Sequence, residues 1–137
     1  MAINEIKDGD LVLARHIPSQ DAWAGGLNFF SNDSEFVQVG TWGYESGKEL
    51  LAHSHNKVER QVFWTQEVLY IRKGKIKADI YNLENEKIGE FVGNSGDVLI
   101  LLIGGHGYQI LEDETQVLEV KNGPYLGADI DRRRLSE

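Results

Sequence analysis

Residues 67–81 read EVLYIRKGKIKADIY, and this stretch decides the fold. Glu67 to Lys73 is rich in β-branched and aromatic residues, the composition of a strand. Gly74 supplies a turn, and Lys75 to Tyr81 runs back with Ile76, Ala78 and Ile80 at alternate positions and Lys75, Lys77 and Asp79 between them. A period of two puts the apolar residues on one face and the charges on the other, which is a half-buried antiparallel strand. The pair therefore predicts a hairpin, with Leu69 and Ile71 sharing Glu67's inward face.

Outward from this hairpin the same signals repeat. Strand-like segments are expected at 11–17, 36–44, 87–92, 98–103, 108–111 and 116–121, separated by Gly, Asn, Asp and Ser turns. Residues 98–103 are apolar at every position and predict a central strand buried on both faces. Residues 18–35 read as a long irregular segment. Helical periodicity is nearly absent. Roughly nine or ten strands at this spacing predict an all-β fold, a single small antiparallel β-barrel or jelly roll. One domain over 1–137 is expected, with its core at about 36–121.

Composition narrows the function. The chain has no cysteine, so disulfides and thiolate metal sites are ruled out, and a reducing cytoplasm is the expected location. The first residues lack the apolar stretch of a secretory signal. No apolar run approaches the roughly 20 residues of a membrane helix, so no membrane partner is expected. A formal charge of −8 argues against nucleic acid. The one basic cluster, Arg132-Arg133-Arg134, lies beside Asp129, Asp131 and Glu137; it reads either as self-paired surface charge or as an anion or subunit contact.

The chemistry-bearing residues are few. His53 and His55 stand two apart, which in a strand aims both imidazoles to one face. Glu67 and His106 follow. Three imidazoles and a carboxylate suit a first-row divalent metal. His16 reads as a surface or core residue of the first strand. Trp42, Tyr44, Phe63 and Trp64 read as core, subunit interface or substrate platform. Tyr44 and Tyr108 are the candidate catalytic hydrogen-bond donors.

Gly47, His53, His55, Glu67 and Gly74, with Gly96, Gly104 and His106 later, resemble the two motifs of the cupin superfamily. The first motif has the form G-x5-H-x-H-x3,4-E-x6-G, and the second is G-x5-P-x-G-x2-H-x3-N. The chain departs from them in three ways. Eleven residues separate His55 from Glu67, Leu102 stands at the proline, and His106 arrives one residue early with Ile110 at the asparagine. Glu59 fits the upstream carboxylate spacing, but Glu67 is favoured because it opens a strand. The resemblance covers residues 40–120. It implies a metal held by His53, His55, Glu67 and His106, with Fe, Mn, Ni, Co and Zn all compatible. It also implies a small metal-dependent enzyme, an isomerase, epimerase or dioxygenase acting on a small polar, sugar- or acid-like molecule. The alternatives are a non-catalytic ligand-binding barrel and a metal-free nucleotide-sugar epimerase. A homodimer is expected.

Overall fold

The computed structural model describes residues 3–135. Among these, ten strands and two single-turn helices follow one another as β1 (Asn4–Asp8), β2 (Leu11–Ile17), α1 (Ser19–Ala22), β3 (Gly26–Phe29), β4 (Gly40–Gly43), β5 (Glu67–Lys73), β6 (Lys75–Tyr81), β7 (Lys87–Asn94), β8 (Val98–Leu101), β9 (Gly105–Ile110), β10 (Gln116–Lys121) and α2 (Ala128–Asp131). All pairings are antiparallel. The all-β expectation holds. The expected closed barrel is not seen: the strands form a five-stranded sheet ordered β1-β2-β8-β5-β10, a three-stranded sheet ordered β7-β6-β9 and a separate β3-β4 hairpin. No helix among the described residues is long and apolar enough to cross a membrane.

The two larger sheets face each other. Leu69, Ile71, Leu99 and Leu101 from one meet Ile76, Ala78, Ile80 and Phe91 from the other in a single buried cluster. These are the inward residues that strand parity selects, but they fill the inter-sheet space instead of lining a cavity. The five-stranded sheet is covered on its other face as well. Ile17, Val98, Ile100 and Leu102 pack there with Ala22, Phe30 and Val39 from the β2–β4 segments. Burial on both sides explains why β8 is apolar without alternation.

Strands β5, β6 and β10 fall where the sequence places them. Two further strands, β1 and β3, arise in regions with no expected strand, so the sheet begins well before residue 36. Of the strand expected over 36–44, only Gly40–Gly43 pairs with a neighbour. The backbone N–H groups of Phe36 and Val37 instead donate to the buried Gln66 side chain, at 2.8 and 3.0 Å. His16 takes the core option. Its ring nitrogens meet Asp97 Oδ2 at 2.8 Å and Asn4 Nδ2 at 3.3 Å, and Asp97 also accepts the Ser19 and Asn94 backbone N–H groups.

Candidate functional site

Strand register places the candidate site. On β5, Glu67 sits opposite Lys121 of β10 and Leu101 of β8. Glu119, two residues from Lys121, shares that face. On β9, His106 sits opposite Ile80 and Tyr108 opposite Ala78, so both side chains leave the three-stranded sheet on its inner face. The core is full between β5 and β6, but toward β9 and β10 the sheets part. A cavity of about 870 Å³ opens there, with Glu67, His106, Tyr108, Glu119 and Lys121 in its wall.

Local chain chemistry holds these groups. The N–H of Gln66 donates to Asn122 Oδ1 at 2.7 Å, and Trp64 Nε1 donates to the Leu102 carbonyl at 2.8 Å; both fix the entry to β5. The bend before His106 needs Gly104. Its φ is +89°, and a Cβ there would stand 2.3 Å from the Tyr81 carbonyl oxygen.

Glu67 is 6% exposed, and its Oε2 lies 2.6 Å from His106 Nε2. The ring N–H is poorly aligned with that oxygen, which is left as a buried acceptor without a well-directed donor. Lys121 Nζ stands 3.8 Å from Oε1. Burial opposes ionisation of Glu67, but His106, Glu119 and Lys121 together outweigh it and hold its carboxyl below the usual range. Glu119 moves the other way. Burial and the neighbouring Glu67 carboxylate raise it, against the pull of Lys121 and His106. Of the two acids, Glu67 therefore gives up its proton more readily than Glu119. Burial, with the charges of Glu67 and Glu119, pushes the Tyr108 hydroxyl well up. Tyr108 is 41% exposed, so solvent moderates the shift without reversing its sign.

The residues singled out in the sequence divide into two groups. Glu67, His106 and Tyr108 come together, and the His106 and Tyr108 ring centroids are 5.2 Å apart. His53 and His55 lie in the irregular, exposed segment between β4 and β5, not on a strand. Their rings face each other at 5.1 Å, and His53 Nδ1 lies 3.2 Å from the Leu51 carbonyl. Glu59 and Arg60 share this exposed segment. Tyr44 stacks near Trp42 at 6.1 Å, with Lys48 Nζ 5.3 Å from its ring, and it does not line the cavity. Trp42, Phe63 and Trp64 are largely exposed, so the barrel-core option for these aromatics is gone.

As placed, the four expected ligands are not brought together. Among the described residues no three His, Asp or Glu side chains are grouped to hold one. Glu67 and His106 supply two donor atoms, and their 2.6 Å separation is tighter than the roughly 3.4 Å between two donors on one tetrahedral ion. Glu119 and Lys121 were not singled out from the sequence. In a strand of alternating charge and apolar residues their face looks like a solvent face; only the partner sheet turns it into a cavity wall.

No family model, curated protein or solved structure matches the chain.

Proposed function

We propose that this chain is an acid–base enzyme, an isomerase or epimerase that moves a proton on a small polar substrate bound between β5, β9 and β10. The observation that carries this reading is the 2.6 Å contact of a buried carboxylate with His106 on the wall of a cavity of about 870 Å³. A cavity of that size accepts a sugar- or acid-like molecule.

We assign the His106 proton to Nε2, the nitrogen nearest the Glu67 carboxylate, which leaves the Nδ1 lone pair free to act as base. Nδ1 takes a proton from a carbon next to a substrate carbonyl. The C–H electron pair forms a carbon–carbon double bond and the carbonyl π pair moves onto oxygen, giving an enolate and an imidazolium. Glu67 stabilises the imidazolium. Tyr108, held in its hydroxyl form, donates a hydrogen bond to the enolate oxygen. The imidazolium exchanges its proton with solvent and then protonates the neighbouring carbon on the same face, giving an isomer; for an epimer, water protonates the opposite face and the imidazolium releases its proton to solvent, so either course completes the reaction with no net oxidation. This assignment gives the His base the carboxylate partner that a metal-free epimerase needs, in Glu67 instead of an aspartate.

Solvent-exchange measurements test it. Sugar phosphates and hydroxy-keto acids incubated with the protein in D2O should acquire deuterium at one carbon, read by NMR. His106→Gln should abolish exchange. Tyr108→Phe should slow it about 10- to 1000-fold. Exchange that persists in His106→Gln overturns the assignment. Binding of a compound without exchange supports the ligand-binding module instead.

A second reading keeps the metal. The favouring observation is the undirected, buried Glu67 Oε2 beside His106, two of the four expected ligands. Elemental analysis of wild type and His55→Ala separates the two readings. About one metal per chain that is lost in His55→Ala supports the metal site; none in either supports the metal-free base.

A further inference from the structure

We infer that Arg132, Arg133 and Arg134 form an anion-binding arm on the same cavity, and that the substrate carries a phosphoryl group. The inference rests on the proposed function for the location of the chemistry, but its own observations are independent of His106.

All three arginines and Lys121 line the cavity. Among the described residues none of the three guanidinium groups makes an ion pair or a side-chain hydrogen bond. The self-pairing open to this cluster from its sequence therefore does not occur with Asp129 or Asp131; Glu137 lies outside the described residues. Asp131 is engaged elsewhere, as acceptor of the Thr65 hydroxyl. Three adjacent cations without partners among the described residues repel one another, and a multiply charged anion removes that repulsion.

The arm is held in place. Asp131 and Arg132 donate backbone N–H groups to the Gly127 and Ala128 carbonyls at 2.9 and 3.1 Å. Leu135 packs so closely on Gly105 that a Cβ there would stand 2.4 Å from its Cδ1. The arginines are thus presented by a segment tied to the residue next to His106.

Charge along the cavity orients the ligand. Glu67 and Glu119 make the inner end anionic and repel a phosphate from it. The arginines in the cavity wall attract one, and a guanidinium group matches its geometry through paired N–H donors. A substrate with its phosphoryl group at the arginines presents its carbon skeleton to His106. Three guanidinium groups also exceed what a single carboxylate needs, so a dianion is the better match.

Pyrophosphate is the probe, titrated at low ionic strength and read by calorimetry. Wild type should bind with a Kd on the order of 0.1–1 mM. The triple variant Arg132→Gln, Arg133→Gln, Arg134→Gln should weaken this at least about tenfold, the loss of one strong charged contact or more. A charge-matched control, Lys7→Gln, Lys48→Gln, Lys87→Gln, should change it less than about threefold, because remote exposed charges are screened. His106→Gln should bind pyrophosphate as wild type does, so a failed catalytic assignment leaves this result standing. Equal losses in the two triple variants, absence of wild-type binding at about 10 mM, a range that covers even weak sites, or malonate binding as tightly as pyrophosphate would each overturn the inference.

Discussion

Gly74 shows how a single position can be decisive. Its φ is +93°, and an added Cβ would meet Thr115 Oγ1 at 2.2 Å and Thr115 Cα at 2.7 Å. Gly74→Ala combines left-handed strain with a clash against backbone, so about 2–3 kcal/mol of stability should be lost, measured by urea unfolding. The acidic pair gives a second expectation. Glu67's folded-state carboxyl is depressed, so its contribution to stability is present above the unfolded value and lost as pH falls through the folded one. Glu119 is raised, so its contribution is present at acid pH and lost as pH rises through its folded value. Unfolding followed from about pH 7 down to about pH 3 should show an acid-side loss that Glu67→Gln removes, across the range where carboxylates titrate. Glu119→Gln should cost less than about 1 kcal/mol at neutral pH, because the group is half-exposed and its charge is screened by solvent. At this scale Glu67, His106 and Tyr108 were legible as functional types. Their mutual contact was not, because it depends on the spacing between two sheets and not on distance along the chain.

Among the elements, β8 is the least replaceable. Ile100 is fully buried on the face packed against Phe30 and Val39. Ile100→Asp places an unpaired carboxylate there and should remove the folded state, a loss above about 4 kcal/mol, seen as missing cooperative unfolding in circular dichroism. Leu118→Asp, on the exposed face of edge strand β10, should cost less than about 1 kcal/mol. Elements whose side chains alternate cleanly were readable in sequence, as in β6, where Ile76, Ala78 and Ile80 all reach the core. The segment after Phe36 was not. Its β-branched and aromatic residues fit a strand, but the Gln66 side chain takes the Phe36 and Val37 N–H groups that a strand neighbour would have taken. The HxH argument failed for the same reason: parity has meaning only once a strand has a partner, and residues 44–66 have none.

For the molecule as a whole, the β3-β4 hairpin presents Leu27, Phe29 and Trp42 to solvent, with Tyr44 beside them. The homodimer expected from the sequence would cover such apolar surface. Light scattering should give the mass of two chains, falling toward one in Trp42→Ser. The open edge between the larger sheets was not legible at all, since the period-two pattern of a strand is the same whether its sheet closes or not. That opening has a further consequence. Glu67 belongs to one sheet and His106 to the other, and no strand pairing links their two sheets directly. The 2.6 Å contact therefore works as a caliper on the gap between two slabs joined by side-chain packing and connecting loops. A slide of a single ångström would part acid from base while every ladder in both sheets stayed intact. Hydrostatic pressure or gentle warming should then silence the proposed proton transfer in a molecule whose circular dichroism is still that of the native fold.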